Sequence, residues 1–190
     1  MQKKAVRDKM EESKKYGCAE VLMMLKQIKL NELSLNPFTM IGDEWMLISA
    51  GDEQKYNMMT AAWGGLGVMW GKSVAAVVIR PTRYTLDFVK AKDHFALNFF
   101  DSSFKPVLSY CGSHSGRDVD KEKGTGLTPV FTAQAPYFAQ AKLVMVCRKL
   151  YQQKLDPGCF LDGSLDAKWY PEKDYHECFV GEIAGVWKSE

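Results

Sequence analysis

The feature that most limits the fold is a succession of short runs of β-branched and aromatic residues, each cut off by a turn former. Residues 45–50 end at Gly51-Asp52, residues 74–79 stop at Pro81, and residues 95–100 are aromatic-rich. Each reads as a strand with at least one buried face. Two longer stretches, 141–151 and 178–187, read the same way, with Asp156-Pro157-Gly158 as a turn between them. Helices fall in the gaps. One follows Thr85, read as an N-cap, and turns Phe88 and Val89 inward. Another runs from Asp118 towards Lys123 and is stopped by Gly124 and Gly126, and a short one covers residues 104–110. Residues 1 to about 26 read as a helix with Ala5, Ala19, Val21, Leu22 and Leu25 on one face, and Asn36-Pro37 marks a boundary. Spaced strands with interspersed helices predict a mostly β chain, a β-barrel core with helical decoration.

Size and charge narrow the function classes. The 190 residues and 46% hydrophobic content suit one core, and the formal net charge of +2 calls for neither nucleic acid nor an anionic membrane. No apolar run approaches the roughly 20 residues of a membrane span, and the charged N-terminus reads as no secretory leader. The cysteines, Cys18, Cys111, Cys147, Cys159 and Cys178, are odd in number and widely spaced. They predict reduced thiols in a cytoplasmic protein, without a disulfide framework or a zinc pair.

Several motifs fail. Gly71-Lys72-Ser73 resembles the end of a phosphate loop, but Leu66 stands where the pattern needs glycine and a strand follows. Gly65-Leu66-Gly67 has Trp70 in place of the third glycine of a dinucleotide fingerprint. Cys111-Gly112-Ser113-His114 has no second Cys/His pair, and His94, His114 and His176 are scattered, so no metal site is expected.

Three segments carry more weight. Ser113-His114-Ser115-Gly116-Arg117-Asp118-Val119-Asp120-Lys121 sets hydroxyls, a glycine and a guanidinium just before a helix start. Free N–H groups, the helix dipole and Arg117 suit an anion there. A capped helix with a solvated Arg–Asp pair fits the same residues equally well. Arg80-Pro81-Thr82-Arg83-Tyr84-Thr85 is either a second phosphate contact or a strand–helix corner. Asn57-Met58-Met59-Thr60-Ala61-Ala62-Trp63-Gly64-Gly65 offers backbone groups to a flat ligand, or else is a tight turn with Trp63 in the core.

Taken in order, these segments resemble the flavin reductase-like family, which includes flavoredoxins. The resemblance rests on Asn57 with residues 59–63, on Arg80 to Thr85, on Ser115 to Lys121, and on His176 before Phe179-Val180-Gly181-Glu182, and it covers roughly residues 34–187. It implies an FMN-binding split β-barrel over residues 31–190; residues 1–30 lie outside it and are expected to form an N-terminal helical extension. It implies a homodimer with the flavin near the interface. Asn57, Met59, Thr60, Ala61, Ala62 and Trp63 would then line the ring system, and Arg80, Arg83, Thr85, Ser115, Gly116, Arg117 and Lys121 the phosphate and ribityl chain. Asn98 and His176 would sit near the ring or the nicotinamide side, His176 as the candidate catalytic group. Ala62 departs from the serine of many relatives, which removes a hydroxyl near the flavin. The implied activity passes electrons from NADH or NADPH through FMN to a small-molecule or protein acceptor. The other function class is a non-catalytic FMN electron carrier reduced by a partner protein. Cys147 is expected in the core, and Cys111 and Cys178 as inert packed thiols near the site segments.

Overall fold

The computed structural model describes residues 25–189. The strands are β1 (Leu25–Ile28), β2 (Met46–Gly51), β3 (Tyr56–Ala61), β4 (Gly64–Met69), β5 (Lys72–Ile79), β6 (His94–Phe99), β7 (Pro129–Val130), β8 (Tyr137–Phe138), β9 (Leu143–Lys154) and β10 (Glu177–Ser189). The α-helices are α1 (Thr85–Ala91), α2 (Lys105–Ser113), α3 (Lys121–Thr125) and α4 (Gly163–Trp169). One antiparallel sheet has the order β3-β2-β6-β9-β10-β5-β4, with β1 added on β10, and β7 and β8 form a second small pair.

β3 and β4 stand at opposite ends of this path, yet only Ala62 and Trp63 join them. The sheet therefore curls until its two ends meet at that corner. No ladder joins β3 to β4 among the described residues, so the barrel is split along this seam. The bend is helped by β10, whose register against β9 shifts between Val180 and Gly181 and again between Ile183 and Gly185.

The alternation of side chains explains the apolar runs. Met46, Ile48, Phe95, Leu97, Phe99, Met145, Cys147 and Phe179 fill the barrel interior, under α1. Their neighbours Leu47, Ala96, Val144 and Val146 point to the other face, where Leu108, Cys111 and Phe138 cover them. All six residues of β2 are buried because both faces are covered. At the β4–β5 hairpin, Trp70 and Gly71 both take positive φ, 53° and 68°, the turn twist that two-residue hairpins favour. Lys72 pairs with Met69 across it and bonds Glu182, so the failed phosphate loop is a hairpin.

Several local expectations change. Leu25 and Lys26 were expected to end a helix; they begin strand β1, whose four residues pair with Val186 to Ser189 on β10. That strand also lies before the expected boundary at residue 30. The rest of the expected N-terminal helix and Cys18 lie outside the described residues. Thr85 is not an N-cap: Tyr84 already has helical dihedrals, and the Thr85 hydroxyl accepts from Asn57 Nδ2 at 3.0 Å. Helix α3 starts at Lys121, three residues later than expected, because the Asp120 carboxylate caps it by accepting from Lys123 N. Gly124 lies inside α3 and only Gly126, at φ 69°, ends it. The glycine-rich segment after Asn57 is strand, not a tight turn, and Trp63 is 38% exposed instead of packed in the core. Helix α4 had no counterpart in the sequence reading; it is seven residues long and capped by Asp162.

Candidate functional site

A polar cavity of about 110 Å³ lies where β3, the Arg83–Thr85 corner and the connection from α2 to α3 converge. Asn57, Met59, Arg83, Thr85, Ser115, Gly116 and Lys121 line it, all singled out from the sequence, together with Cys111, Ser113 and His114. At Gly116 a Cβ would lie 2.2 Å from Asn57 Oδ1, so a larger residue would have to displace the Asn57 amide. Asn57 is held in turn by Thr85. The cavity thus has a fixed polar wall joining β3, α1 and the Ser115–Gly116 turn.

Its charge is one-sided. Lys121 is buried, and its ammonium donates to the carbonyls of Met58 at 2.9 Å and Cys111 at 2.8 Å. Arg83 Nη1 donates to Gly112 O at 2.9 Å. No carboxylate among the described residues pairs with either cation. Burial holds the Lys121 ammonium below the usual lysine range; the nearby Cys111 works against this, and the positive Arg83 adds to it. Burial pushes the Cys111 thiol up to about 11, so it is a neutral wall and not a nucleophile. An anion entering here would relieve the Lys121–Arg83 repulsion. The helix dipole adds little for an anion here: α3 has five residues, and Asp120 already occupies its end.

Two of the arginines expected at this site are engaged elsewhere. Arg117 Nη2 pairs with Asp87 Oδ2 at 3.0 Å, and its guanidinium lies 4.5 Å from the Tyr84 ring centre. Arg80 binds both carboxylate oxygens of Asp174 at 2.5 Å and the Trp169 carbonyl at 2.7 Å. Asn98 is fully buried away from the cavity: its amide donates to Leu47 O and Ser49 Oγ and accepts from Phe138 N, pinning β8 to the sheet. Thr60 donates to the Leu108 carbonyl and ties β3 to α2.

At the other end of β3, Ala62 and Trp63 line a second, apolar groove of about 400 Å³ with Phe38, Ile41 and Leu66. Trp63 packs edge-on against Trp169, centroids 4.9 Å apart, and lies 5.2 Å from the His176 ring. His176 is buried, with Nδ1 2.8 Å from the Tyr170 hydroxyl. Tyr170, Trp169 and Asp174 were not singled out from the sequence. The aromatic density around residues 160–175 was the only signal there.

Burial, then the Arg80 charge, pushes His176 down to about 4 from its ordinary 6.5. As pH falls below 6.5 the unfolded chain takes up this proton and the folded chain does not. The stabilising contribution is therefore complete above about 6.5 and lost by about 4. Between pH 7 and pH 4.5 the loss should be about 2–3 kcal/mol. Urea unfolding of wild type and His176→Gln at both pH values checks this. Wild type should lose more stability than the variant, and equal losses would remove the assignment.

Among the described residues no cluster of His, Cys, Asp and Glu could hold a metal ion, and no helix is long and apolar enough to cross a membrane. No match was found among curated protein sequences. Solved structures show the same fold. A flavin reductase-like enzyme's FMN-binding domain from Shewanella baltica is 18% identical over 90% of this chain and 80% of its own, with a TM-score of 0.64. Flavoredoxin from Methanosarcina acetivorans is 22% identical over 87% and 76%, with a TM-score of 0.61. A Streptomyces globisporus NADH:FAD oxidoreductase, in complex with NAD and FAD fragments, is 14% identical over 76% and 75%, with a TM-score of 0.57. The flavin reductase like domain matches residues 41–190, the span that carries both the split barrel and the cationic cavity, and the chain belongs to the flavin reductase-like family.

Proposed function

We propose that this chain binds FMN and passes electrons from NADH or NADPH through it to an acceptor. The observation that carries the reading is the buried Lys121 beside Arg83 on a small polar cavity, with no carboxylate paired to either cation. A buried ammonium without a counter-charge is costly, and a phosphate would supply the charge. Strand β3 runs from this cavity at Asn57 to Ala61, and Ala62 just beyond its end lines the apolar groove. Five extended residues span about 16 Å, a distance suited to a molecule with a phosphate at one end and a fused ring system at the other.

Bound FMN would supply two-electron exchange with a reduced nicotinamide and delivery onward. Lys121 and Arg83 would hold the phosphate. Ser115, Gly116, Asn57 and Thr85 would shape the approach, and Ala62 and Trp63 would offer an apolar wall to the ring. The Methanosarcina flavoredoxin and the Streptomyces oxidoreductase support the reading through a shared fold. The test is an absorbance spectrum after adding FMN and removing the excess, followed by NADH or NADPH without oxygen. Retained flavin that bleaches with a nicotinamide is the expected result. Bleaching with dithionite alone would make the chain an electron carrier, and no retained flavin would overturn the proposal.

A homodimer belongs to the same reading. The outer edge of β4 has no strand partner among the described residues, and Val68, Met69 and Trp70 at its hairpin tip are 74%, 44% and 59% exposed. A second copy would cover this stripe. Trp70→Lys should then shift the mass in solution from dimer to monomer; a wild-type monomer would refute the pairing. The free cysteines Cys111, Cys147, Cys159 and Cys178 support a reducing, cytoplasmic setting.

A further inference from the structure

The segment between β9 and β10 brings Tyr170 onto His176. Tyr170 is 3% exposed, and its hydroxyl has one partner, His176 Nδ1 at 2.8 Å. Its ring is clamped by Tyr175 at 4.9 Å and Phe160 at 5.8 Å, with the Arg80 guanidinium 5.3 Å from its centre. Arg80 also grips Asp174 and the Trp169 carbonyl on either side of Tyr170. The guanidinium expected to meet a phosphate instead fixes the segment that carries this phenol.

Donor bookkeeping settles the direction of the bond. A phenol has one hydrogen to give, and a buried donor needs an acceptor. Were Nδ1 to carry a proton, the Tyr170 hydrogen would have no acceptor among the described residues. The phenol therefore donates, Nδ1 accepts, and the imidazole proton sits on Nε2. Protonating both nitrogens would break this bond, which agrees with the direction in which burial moves the histidine. Among the described residues Nε2 has no partner, yet no buried side-chain nitrogen or oxygen of these residues lacks one. Nε2 is therefore accessible, on a ring that packs against Trp63.

We infer that Tyr170 is a positioning residue for His176: by donating to Nδ1 it holds a neutral imidazole whose Nε2–H is presented as a hydrogen-bond donor beside Trp63. The role rests on the flavin reading for its use, not for its geometry. Such a donor recognises an oxygen or nitrogen acceptor on a flat ring, such as a carbonyl of the flavin or of a nicotinamide carboxamide. It does not act as a proton-releasing imidazolium at neutral pH.

Long-range nitrogen–proton NMR of the flavin-free protein at pH 7 reads the tautomer directly. Wild type should show His176 in the Nε2–H form, and Tyr170→Phe, which keeps the ring packing, should lose that preference. With FMN bound, the variant should keep the wild-type FMN Kd within about twofold while reduction by NADH slows about tenfold, the loss of one oriented hydrogen bond. An Nδ1–H form in wild type, or a tautomer unmoved in Tyr170→Phe, would overturn the inference. So would unchanged reduction in a variant whose tautomer has changed. Because the tautomer is read without flavin, a protein that passes the NMR test but retains no FMN would refute the flavin reading alone.

Discussion

Lys121→Met is expected to weaken FMN binding by about tenfold to over a hundredfold, the loss of one charged hydrogen bond worth roughly 1.5–3 kcal/mol. Methionine keeps most of the apolar stem and removes the ammonium, together with its bonds to the Met58 and Cys111 carbonyls. The effect should be large because Lys121 is buried, so water and salt cannot screen its interaction with a phosphate. Arg83 lines the same cavity from an exposed position, so Arg83→Met should cost less. Fluorescence titration of FMN into each variant gives the comparison. Equal affinity in wild type and Lys121→Met would remove the phosphate from this cavity. A larger loss for Arg83→Met would place the phosphate at the rim.

Gly64→Ala should destabilise the fold by about 2–3 kcal/mol, the scale of a strained backbone with a steric clash. Gly64 has φ 151°, and a Cβ there would lie 2.4 Å from the Ala76 carbonyl oxygen, a backbone atom of β5 that cannot swing aside. The residue opens β4 immediately after Trp63, at the corner where the two ends of the sheet meet. For a domain of this size the melting temperature should fall by roughly 5–10 °C. Gly65→Ala is the control, since nothing lies within 4 Å of a Cβ there; it should stay within about 0.5 kcal/mol of wild type. If Gly64→Ala melts with wild type, the close approach that sets the seam is wrong.

The strands were legible because burial leaves a periodic trace. Residues 45–50 read as an apolar run interrupted only by Ser49, since β2 is covered on both faces. β3 and β4 were not legible. Their glycines and small polar residues look like a loop, and they are held as strands by backbone ladders to their hairpin neighbours β2 and β5, which their own side chains do not signal. The caps were misread for a related reason. Thr85 has the chemistry of a cap, but whether a hydroxyl caps a helix depends on dihedrals and rival partners. Here Thr85 was claimed by Asn57, 28 residues away, and Asp120 did the capping of α3.

The candidate site divides along the same line. By itself the sequence determined the strand-sized apolar runs, the residue types gathered in Arg80–Thr85 and Ser115–Lys121, and Gly116 as a point of close approach, because each is a local property. Only the tertiary structure decided which cations remain without a carboxylate. Arg80 met Asp174, 94 residues on, and Arg117 met Asp87, 30 residues back, while Lys121 was buried against two carbonyls and Arg83 was left beside it. Charge neutralisation and donor satisfaction depend on which groups come within about 3 Å of one another, and that proximity is set by the curl of the sheet and not by spacing along the chain.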